Sequence, residues 1–555
     1  MLRTIECFAS PRGPTRDGRD RGGGGESRGK ARRARSIPCR PVCAEITIRA
    51  RRRSASVQKS FRAPPAIGLT NRATKTARTA RSAVPAIVFA LAHLLLVSTH
   101  ASNWPQFRGP NATGIAAENS RPPLEFGPEK NLRWKTALPS GASSPVVWDD
   151  RIFLTGFADG HLQILCLKGS DGQILWRREA KADGIEPTTV KFSTPAAPSC
   201  ATDGEHVVSY FGSCGLICHD MDGHELWIKR MPVIQTMDGF GTGSSPIIHH
   251  GLVYLLRDET EGSGFVYAFD VKTGEQRWCT ARSEFRISYG TPVVWDGCVV
   301  CIGDLRVKGY DLATGTERWV VRGLSAYPCT TPALGQDGNL YVSTWSSGSA
   351  NEPNPDYDQL LAQYDTNKDG TLTAAELAHT WMKDFFEIMD DNKNGLLDRE
   401  EWQDIQNYMR TGHNVVMCIR PGGNGDITDS HVCWKSERGA SYVASPLAYN
   451  HRLFLVKDGG MATSYDSAGK LLYEKQRLGA DGEYFASPVL AAGRIYLCSA
   501  KGTVTVVDAE AGQCKVLARN SIGESISATP AISDNSLYLR TASTLWAFEE
   551  PAAQP

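Results

Sequence analysis

The sequence predicts an all-β fold, a closed eight-bladed propeller of four-stranded blades, with one small α-helical insertion. Three observations carry this. A Ser/Thr-Pro step followed by alternating apolar residues recurs eight times, at Pro145, Pro195, Pro246, Pro292, Pro332, Pro446, Pro488 and Pro530. Successive prolines stand 50, 51, 46, 40, 114, 42 and 42 residues apart, and all but one interval match the roughly 40 to 50 residues of a four-stranded blade. Finally, the eighth copy ends at LWAFEE after three strands, while NLRWKTA at 131–137 stands before the first copy as a lone strand. Such a strand completes the last blade and removes the edge that an open array would leave.

Taken in order, the chain begins as a different polymer. Residues 1–81 carry 21 Lys/Arg against 5 Asp/Glu, whereas the remainder carries 40 against 55. This leader is rich in Arg, Gly and Ser and poor in large apolar residues, so it cannot bury enough surface to fold. Its composition alone would suit a nucleic-acid arm, but the adjoining stretch of chain argues otherwise. Arg78 and Arg81 precede the apolar run Ala83 to Val97 and then Thr99-His100-Ala101. These supply the charged region, apolar core and small-residue cleavage site of a secretory signal over 82–101. The run is shorter than the roughly 20 residues that span a bilayer, so no transmembrane domain is expected after cleavage. A signal belongs at a chain start, so translation is expected to begin near Val57 or Leu69, with much of residues 1–68 no part of the protein; the alternatives are a genuine long basic leader or an uncleaved anchor. The exported chain, periplasmic or extracellular, then starts near Ser102 with a large negative excess that argues against nucleic acid as a partner.

Of fifteen Cys, three lie in the leader (Cys7, Cys39, Cys43), and the other twelve show no framework spacing. Cys298 and Cys301 form a C-x-x-C, but within a strand their side chains face opposite sides, which disfavours a zinc or redox pair. Cys166, Cys218 and Cys498 occupy apolar strand positions as small core residues.

The repeat is clearest at Phe265 to Trp278, FVYAFDVKTGEQRW. Phe265 to Phe269 is aromatic and β-branched, as a half-buried strand should be. Asp270 can bond its own downstream backbone and Gly274 can take a positive φ, so the chain reverses there and a further strand ends on Trp278. Other copies end on Trp176, Trp227, Trp319 and Tyr473. The pattern A-x-D-x-x-T-G-x-x-x-W is complete as Ala268, Asp270, Thr273, Gly274 and Trp278, and nearly so at Asp311, Thr314, Gly315 and Trp319. It resembles the tryptophan-docking repeat of the pyrroloquinoline-quinone (PQQ)-like eight-bladed propellers. That group includes quinoprotein alcohol dehydrogenases and the non-enzymatic propeller of the outer-membrane assembly machinery. The opening NWPQFRGPNATG, Asn103 to Gly114, is similar to the start of secreted bacterial members. The resemblance covers about 103–549 apart from one insertion. It divides the exported chain into an N-terminal segment 102–130, blades one to the first part of five over 131–350, the insertion 351–411, the remaining blades over 412–549 and a tail 550–555.

The insertion has its own grammar. DTNKDGTLTAAE from Asp365 to Glu376 and DDNKNGLLDREE from Asp390 to Glu401 both fit the calcium loop of an EF-hand. In the first loop Asp365, Asn367, Asp369 and the bidentate Glu376 supply hard oxygen ligands, Thr371 its carbonyl and Thr373 a hydroxyl or a water. In the second the same tasks fall to Asp390, Asn392, Asn394, Glu401, Leu396 and Asp398. Gly370 and Gly395 permit the sharp turn. The flanking segments YDQLLAQY, AAELAHTWMKDFFEIM and REEWQDIQNYM have helical apolar spacing, with Phe385, Phe386 and Trp402 in a small core. Only 13 residues separate the loops, a spacing that leaves open whether they pair face to face or share one helix. The first strand of a blade leaves the face at which the chain enters, and the second returns to it. An insertion between strands two and three of blade five therefore sits on that face, where a protein partner or envelope component is expected to dock.

No catalytic residue is assigned. The quinoprotein resemblance implies PQQ, a calcium ion beside it, an Asp base and a disulfide between adjacent Cys, yet the sequence has no Cys-Cys dipeptide. At about 50 residues per blade, few long loops remain to build a cofactor cage. No Ser-His-Asp, H-E-x-x-H, P-loop or dinucleotide pattern stands out. His249-His250 is a tempting metal pair, but neighbours on a strand point apart. The sequence therefore favours a non-enzymatic calcium-binding module with two EF-hand sites and without PQQ. The alternative is a PQQ- and calcium-dependent oxidoreductase. The Ser/Thr of each Ser/Thr-Pro step is expected to face the central channel and satisfy backbone groups.

Overall fold

The computed structural model describes residues 102–551, apart from 189–192, 237–238, 260–263, 286, 353–354, 381, 384–385 and 391. The basic leader, the secretory segment and the implied translation starts lie outside these residues, as does Phe385. Eight antiparallel sheets follow one another as blades. Their innermost strands are Val146–Trp148, Ala201–Thr202, Ile247–His249, Val293–Trp295, Ala333–Leu334, Leu447–Tyr449, Val489–Ala491 and Ala531–Ser533. Blade eight is completed from the other end of the chain. Leu132–Ala137 pairs antiparallel with Thr544–Phe548, from Leu132 opposite Phe548 to Ala137 opposite Thr544. The ring is therefore closed by backbone hydrogen bonds between segments more than 400 residues apart, and blade eight reaches the full four strands of a blade.

A second closure runs around the channel. The backbone N–H of Ser144 donates to the Ser199 hydroxyl, Ser199 to Ser245, Ser245 to Thr291 and Thr291 to Thr331. Thr331 donates to Ser445, Ser445 to Ser487, Ser487 to Thr529, and Thr529 back to Ser144, each at 2.9–3.1 Å. Each blade thus supplies one donor and one acceptor to its neighbours, so a backbone group next to each innermost strand is satisfied without a ladder partner. In seven blades the hydroxyl belongs to the Ser/Thr-Pro step. Blade two corrects the sequence reading: Ser199, followed by Cys200, takes the ring position, and Pro195 lies in the preceding loop. The step at Pro195 has the right chemistry five residues too early for the strand Ala201–Thr202.

The tryptophans knit each blade to the next. The Trp278 indole lies over Gly315 of blade four, where a Cβ would fall 2.4 Å from the ring, and its N–H donates to the Leu312 carbonyl at 3.0 Å. Trp134, Trp176, Trp227 and Trp434 repeat the bond to Gly169, Met221, Val271 and Ser467. A bulge beside each Trp opposes it to a small residue, Ala547, Cys166, Cys218, Ala268 or Cys418, which leaves room for the indole. Blade four is the exception. Blade five has no Asp-x-x-x-Gly turn, and the two-residue strand Gly425–Asp426 instead adds in parallel to Glu317–Arg322. Trp319 stays against Gly309 of its own blade and edge-on to Trp295.

The core is correspondingly divided. Apolar clusters fill the spaces between adjacent blades, as where Val146, Phe153, Trp176 and Phe211 join blades one and two. Cys298 faces the cluster between blades four and five and Cys301 that between three and four, so this C-x-x-C does point to opposite sides. The insertion keeps a cluster of its own.

Candidate metal centre

The inserted segment leaves blade five after Leu340–Thr344 and returns at Val415–Ile419. Its neck is clasped by Asn351 and Asn414, which exchange side-chain and backbone hydrogen bonds at 2.9 and 3.0 Å. Helix α1, Tyr357–Tyr364, starts on a capping box of Asp356 and Gln359. Helix α2 is the single turn Phe386–Met389, and helix α3 spans Arg399–Met409. The helical spacing of AAELAHTWMKDFFEIM is only partly realised, since residues 374–379 form turns. The loops explain this. Leu372 and Leu397 pair antiparallel, exchanging N–H to carbonyl bonds of 3.1 and 2.7 Å, so the loops lie side by side. One straight helix over 13 residues would carry the second loop about 20 Å away.

Both loops are wound alike. In the first, the Asp365 carboxylate accepts the N–H groups of Lys368 and Gly370 at 2.7 and 3.0 Å, and Asn367 Oδ1 accepts that of Asp369. In the second, Asp390 accepts Asn394 and Gly395 at 3.0 and 2.8 Å, and Asn392 Oδ1 accepts Asn394. Lys368 and Lys393 share φ near 60°, and Gly370 and Gly395 share φ of 84°. Each loop ends on a carboxylate folded back over its start. Glu376 accepts the N–H groups of Thr366 and Thr373 at 3.0 and 2.9 Å, and Glu401 those of Asn392 and Asp398 at 3.2 and 3.1 Å. Asp398 and Glu401 also form the capping box of α3, so loop closure and helix initiation use the same two carboxylates.

Hydrogen bonds favour the ionised form of two acids of the first loop. The Thr371 hydroxyl keeps Asp369 below the usual carboxylate range, and the Thr373 backbone N–H does the same for Glu376. Among the described residues no three His, Cys, Asp or Glu side chains converge as a ready metal cluster. Each loop offers mixed oxygens instead. Asp365, Asn367, Asp369, Thr371 and Glu376 belong to one loop, and Asp390, Asn392, Asn394, Leu396, Asp398 and Glu401 to the other. A donor set of hard oxygens without thiolate or imidazole suits calcium rather than zinc.

Beneath the loops, Tyr357, Leu360, Leu372, Leu377, Phe386, Leu397 and Trp402 are buried together. The Tyr357 hydroxyl reaches the carbonyls of both Gly370 and Leu397. At the far end of α3 the Tyr408 hydroxyl donates to Asp304 at 2.8 Å, and the Tyr408 ring packs on Tyr327. Asp304, in the hairpin between strands two and three of blade four, also accepts the Tyr327 N–H. Sequence reasoning missed this anchor, since an Asp in a hairpin and a helix-end Tyr carry no joint signal.

Elsewhere the sequence candidates resolve differently. The rings of His249 and His250 do not point apart: they meet edge to face at 4.1 Å, because His250 has left the strand with φ of 47°. Burial and the neighbouring imidazole lower the His249 pKa. In the loop after blade one, Glu186 is buried with the Thr242 hydroxyl at 2.7 Å, and burial pushes its carboxyl up to about 7.

Comparison with known proteins agrees with this architecture. The serine/threonine-protein kinase AfsK of Streptomyces griseus is 35% identical over 92 residues, which cover 15% of this chain and 11% of the kinase. Among solved structures, BamB from Moraxella catarrhalis superposes with a TM-score of 0.47 at 14% identity, covering 76% of this chain and 99% of that one. The quinohemoprotein alcohol dehydrogenase from Comamonas testosteroni gives 0.47 at 12% identity, covering 82% of each chain. The assignment rests on neither of these likenesses. An EF-hand family matches 358–379 and 382–405. With 127–352 and 411–552, more than half of the chain, matched by the PQQ-like repeat family described as outer membrane protein assembly factor BamB, the protein belongs to that family.

Proposed function

We propose that the protein is an exported calcium-binding propeller that serves as a non-enzymatic protein-binding or scaffold module. The observation that carries the calcium reading is the duplicated loop, with the same wound backbone, the same closing carboxylate and a shared Leu372–Leu397 bridge. The first site would use Asp365, Asn367, Asp369, Thr371, Thr373 and Glu376, and the second Asp390, Asn392, Asn394, Leu396, Asp398 and Glu401. A bound divalent cation offsets the repulsion among the loop carboxylates and ties the start of each loop to its end. Extracellular EF-hand sites commonly bind at ~10⁻⁴ to 10⁻³ M, which suits an exported protein in millimolar calcium.

The insertion's place between strands two and three of blade five, with Tyr408 seated on a blade-four hairpin, supports a role on the face from which the chain enters each blade. There it would form or border the surface met by a protein or envelope component. The missing Cys-Cys dipeptide and the compact loops favour this over quinone chemistry. No helix among the described residues is long and apolar enough to cross a membrane. Calorimetric titration tests the reading: wild type should take up two calcium ions per chain and Glu376→Gln/Glu401→Gln none. Alcohol- or sugar-dependent dye reduction after reconstitution with PQQ and calcium would replace it with the oxidoreductase reading.

A further inference from the structure

The N-terminal segment plugs one end of the propeller channel. Trp104 exchanges two backbone hydrogen bonds with Val147 of blade one, and Pro105 accepts the Thr202 N–H of blade two. The Asn111 side chain bonds both backbone groups of Val294 in blade four. Gly114 and Ala116 bracket Leu490 of blade seven. Every one of these partners lies on an innermost strand, whose free edge faces the channel. A segment that touches blades one, two, four and seven in this way must cross the channel end.

Within this plug Arg108 is fully buried. Its Nη2 donates to the Pro446 carbonyl at 2.6 Å, one residue beyond Ser445 of the hydroxyl ring. Its Nε and Nη1 have no protein partner. Of the other large buried arginines, Arg282 has a carboxylate, and Arg540, though it lacks one and leaves Nε without a partner, has both terminal nitrogens hydrogen-bonded. Arg282 faces the Asp258 carboxylate at 2.8 and 3.0 Å. Arg540 spends its terminal nitrogens on Ser143, Thr155 and Pro139. Arg108 has no carboxylate beside it, and burial alone pulls its pKa to about 9, so at neutral pH the guanidinium stays charged. A buried charge without a counter-charge is strongly unfavourable.

The backbone around it is also strained toward this arrangement. Arg108, Asn111 and Ala112 have φ of 60°, 46° and 56°, a region side chains rarely adopt, and such strain persists only where the surroundings over-determine it. Above the plug, the eight ring hydroxyls each accept a backbone N–H, and among the described residues none gives its own proton to a protein acceptor. The bond to Pro446, which directly follows Ser445, sets the buried guanidinium beside this ring at blade six.

We infer that the channel mouth holds a small monovalent anion, of the halide or short carboxylate type, on the Nε and Nη1 of Arg108 beneath the Ser/Thr ring. The anion supplies the missing counter-charge and locks the N-terminal segment into the channel, independently of calcium. Bromide is the probe. Crystals of the wild-type protein in sodium bromide should show an anomalous peak within hydrogen-bonding reach of Arg108 Nε or Nη1. Parallel crystals with added acetate distinguish the occupants: loss of the peak assigns carboxylates to the site, and its persistence assigns halides. In solution, the melting temperature of wild type should rise by a constant step per tenfold bromide above saturation, at ionic strength fixed with gluconate. That dependence should vanish in Arg108→Gln and survive in the surface variant Arg133→Gln. Because the crystallographic arm uses wild type, a variant that fails to fold leaves the test intact. Water alone at Arg108 in the bromide crystals, or a bromide dependence equal in wild type and Arg108→Gln, would overturn the inference.

Discussion

The propeller and its insertion bury similar side chains but hold them in different ways. In the ring, each blade is covered by its neighbours, and three independent closures lock the circle: the Leu132–Ala137 strand, the hydroxyl ring and the tryptophan docking. The insertion has one small cluster around Leu360, Leu372 and Trp402, and above it two loops whose acids repel one another. Repetition stabilises the first without calcium. The second has few partners for burial, and on the proposed calcium reading a bound ion should supply much of its folding free energy.

The largest effect that would sharpen this contrast comes from the ring. Trp278→Ala removes a docked indole and its bond to Leu312, and should destabilise the propeller by about 3–5 kcal/mol. Calcium stoichiometry at temperatures where the variant stays folded should not change, as denaturation and titration would show. A comparable step inside the insertion, Leu360→Ala, should cost about 2–5 kcal/mol, but locally. It should weaken calcium uptake and speed hydrogen exchange over 351–411 while the ring melts as before. If Leu360→Ala lowers the melting of the ring equally, the two regions are one cooperative unit.

Glu186 and the loop acids should answer pH in opposite directions. The Glu186 carboxyl in the ring is raised to about 7 by burial, against an ordinary value of 4.5. Between those values the unfolded chain has lost a proton that the folded ring still holds, so ring stability falls as pH rises and the full penalty is present above 7. Glu186→Gln should therefore stabilise the ring by about 2 kcal/mol at pH 8 and have no effect at pH 4, read from denaturant midpoints. Asp369 and Glu376 are shifted downward, so their contribution is present above the ordinary carboxylate range and is lost as pH falls through their lowered values. Acid should therefore loosen the insertion, as hydrogen exchange over 351–411 would show.

How much of this was legible in the sequence depends on the same contrast. Repetition exposed the blades, the closing strand and both calcium loops, because each is written as a local pattern with fixed offsets. What failed was long-range or broken pattern. Blade two hides its ring hydroxyl at Ser199, where Cys200 replaces proline and an upstream Ser193-Thr194-Pro195 imitates the step. The side-by-side loops could not be chosen over a shared helix until Leu372 met Leu397. His250 turned toward His249 because a left-handed φ ended the strand one residue earlier than alternation assumed. Arg108 was visible only as one charge among Trp, Pro and Phe, and that apolar setting was the available hint that it would be buried.

The most direct test of the central claim is limited proteolysis with mass mapping, in millimolar calcium and after chelation. With calcium the chain beyond residue 102 should resist cleavage. After chelation the first cuts should fall within 351–411, while the two propeller segments remain associated and folded. Cleavage spread over the blades at the same rate, or one-step unfolding of the whole chain on chelation, would contradict a calcium-independent ring carrying a calcium-dependent module.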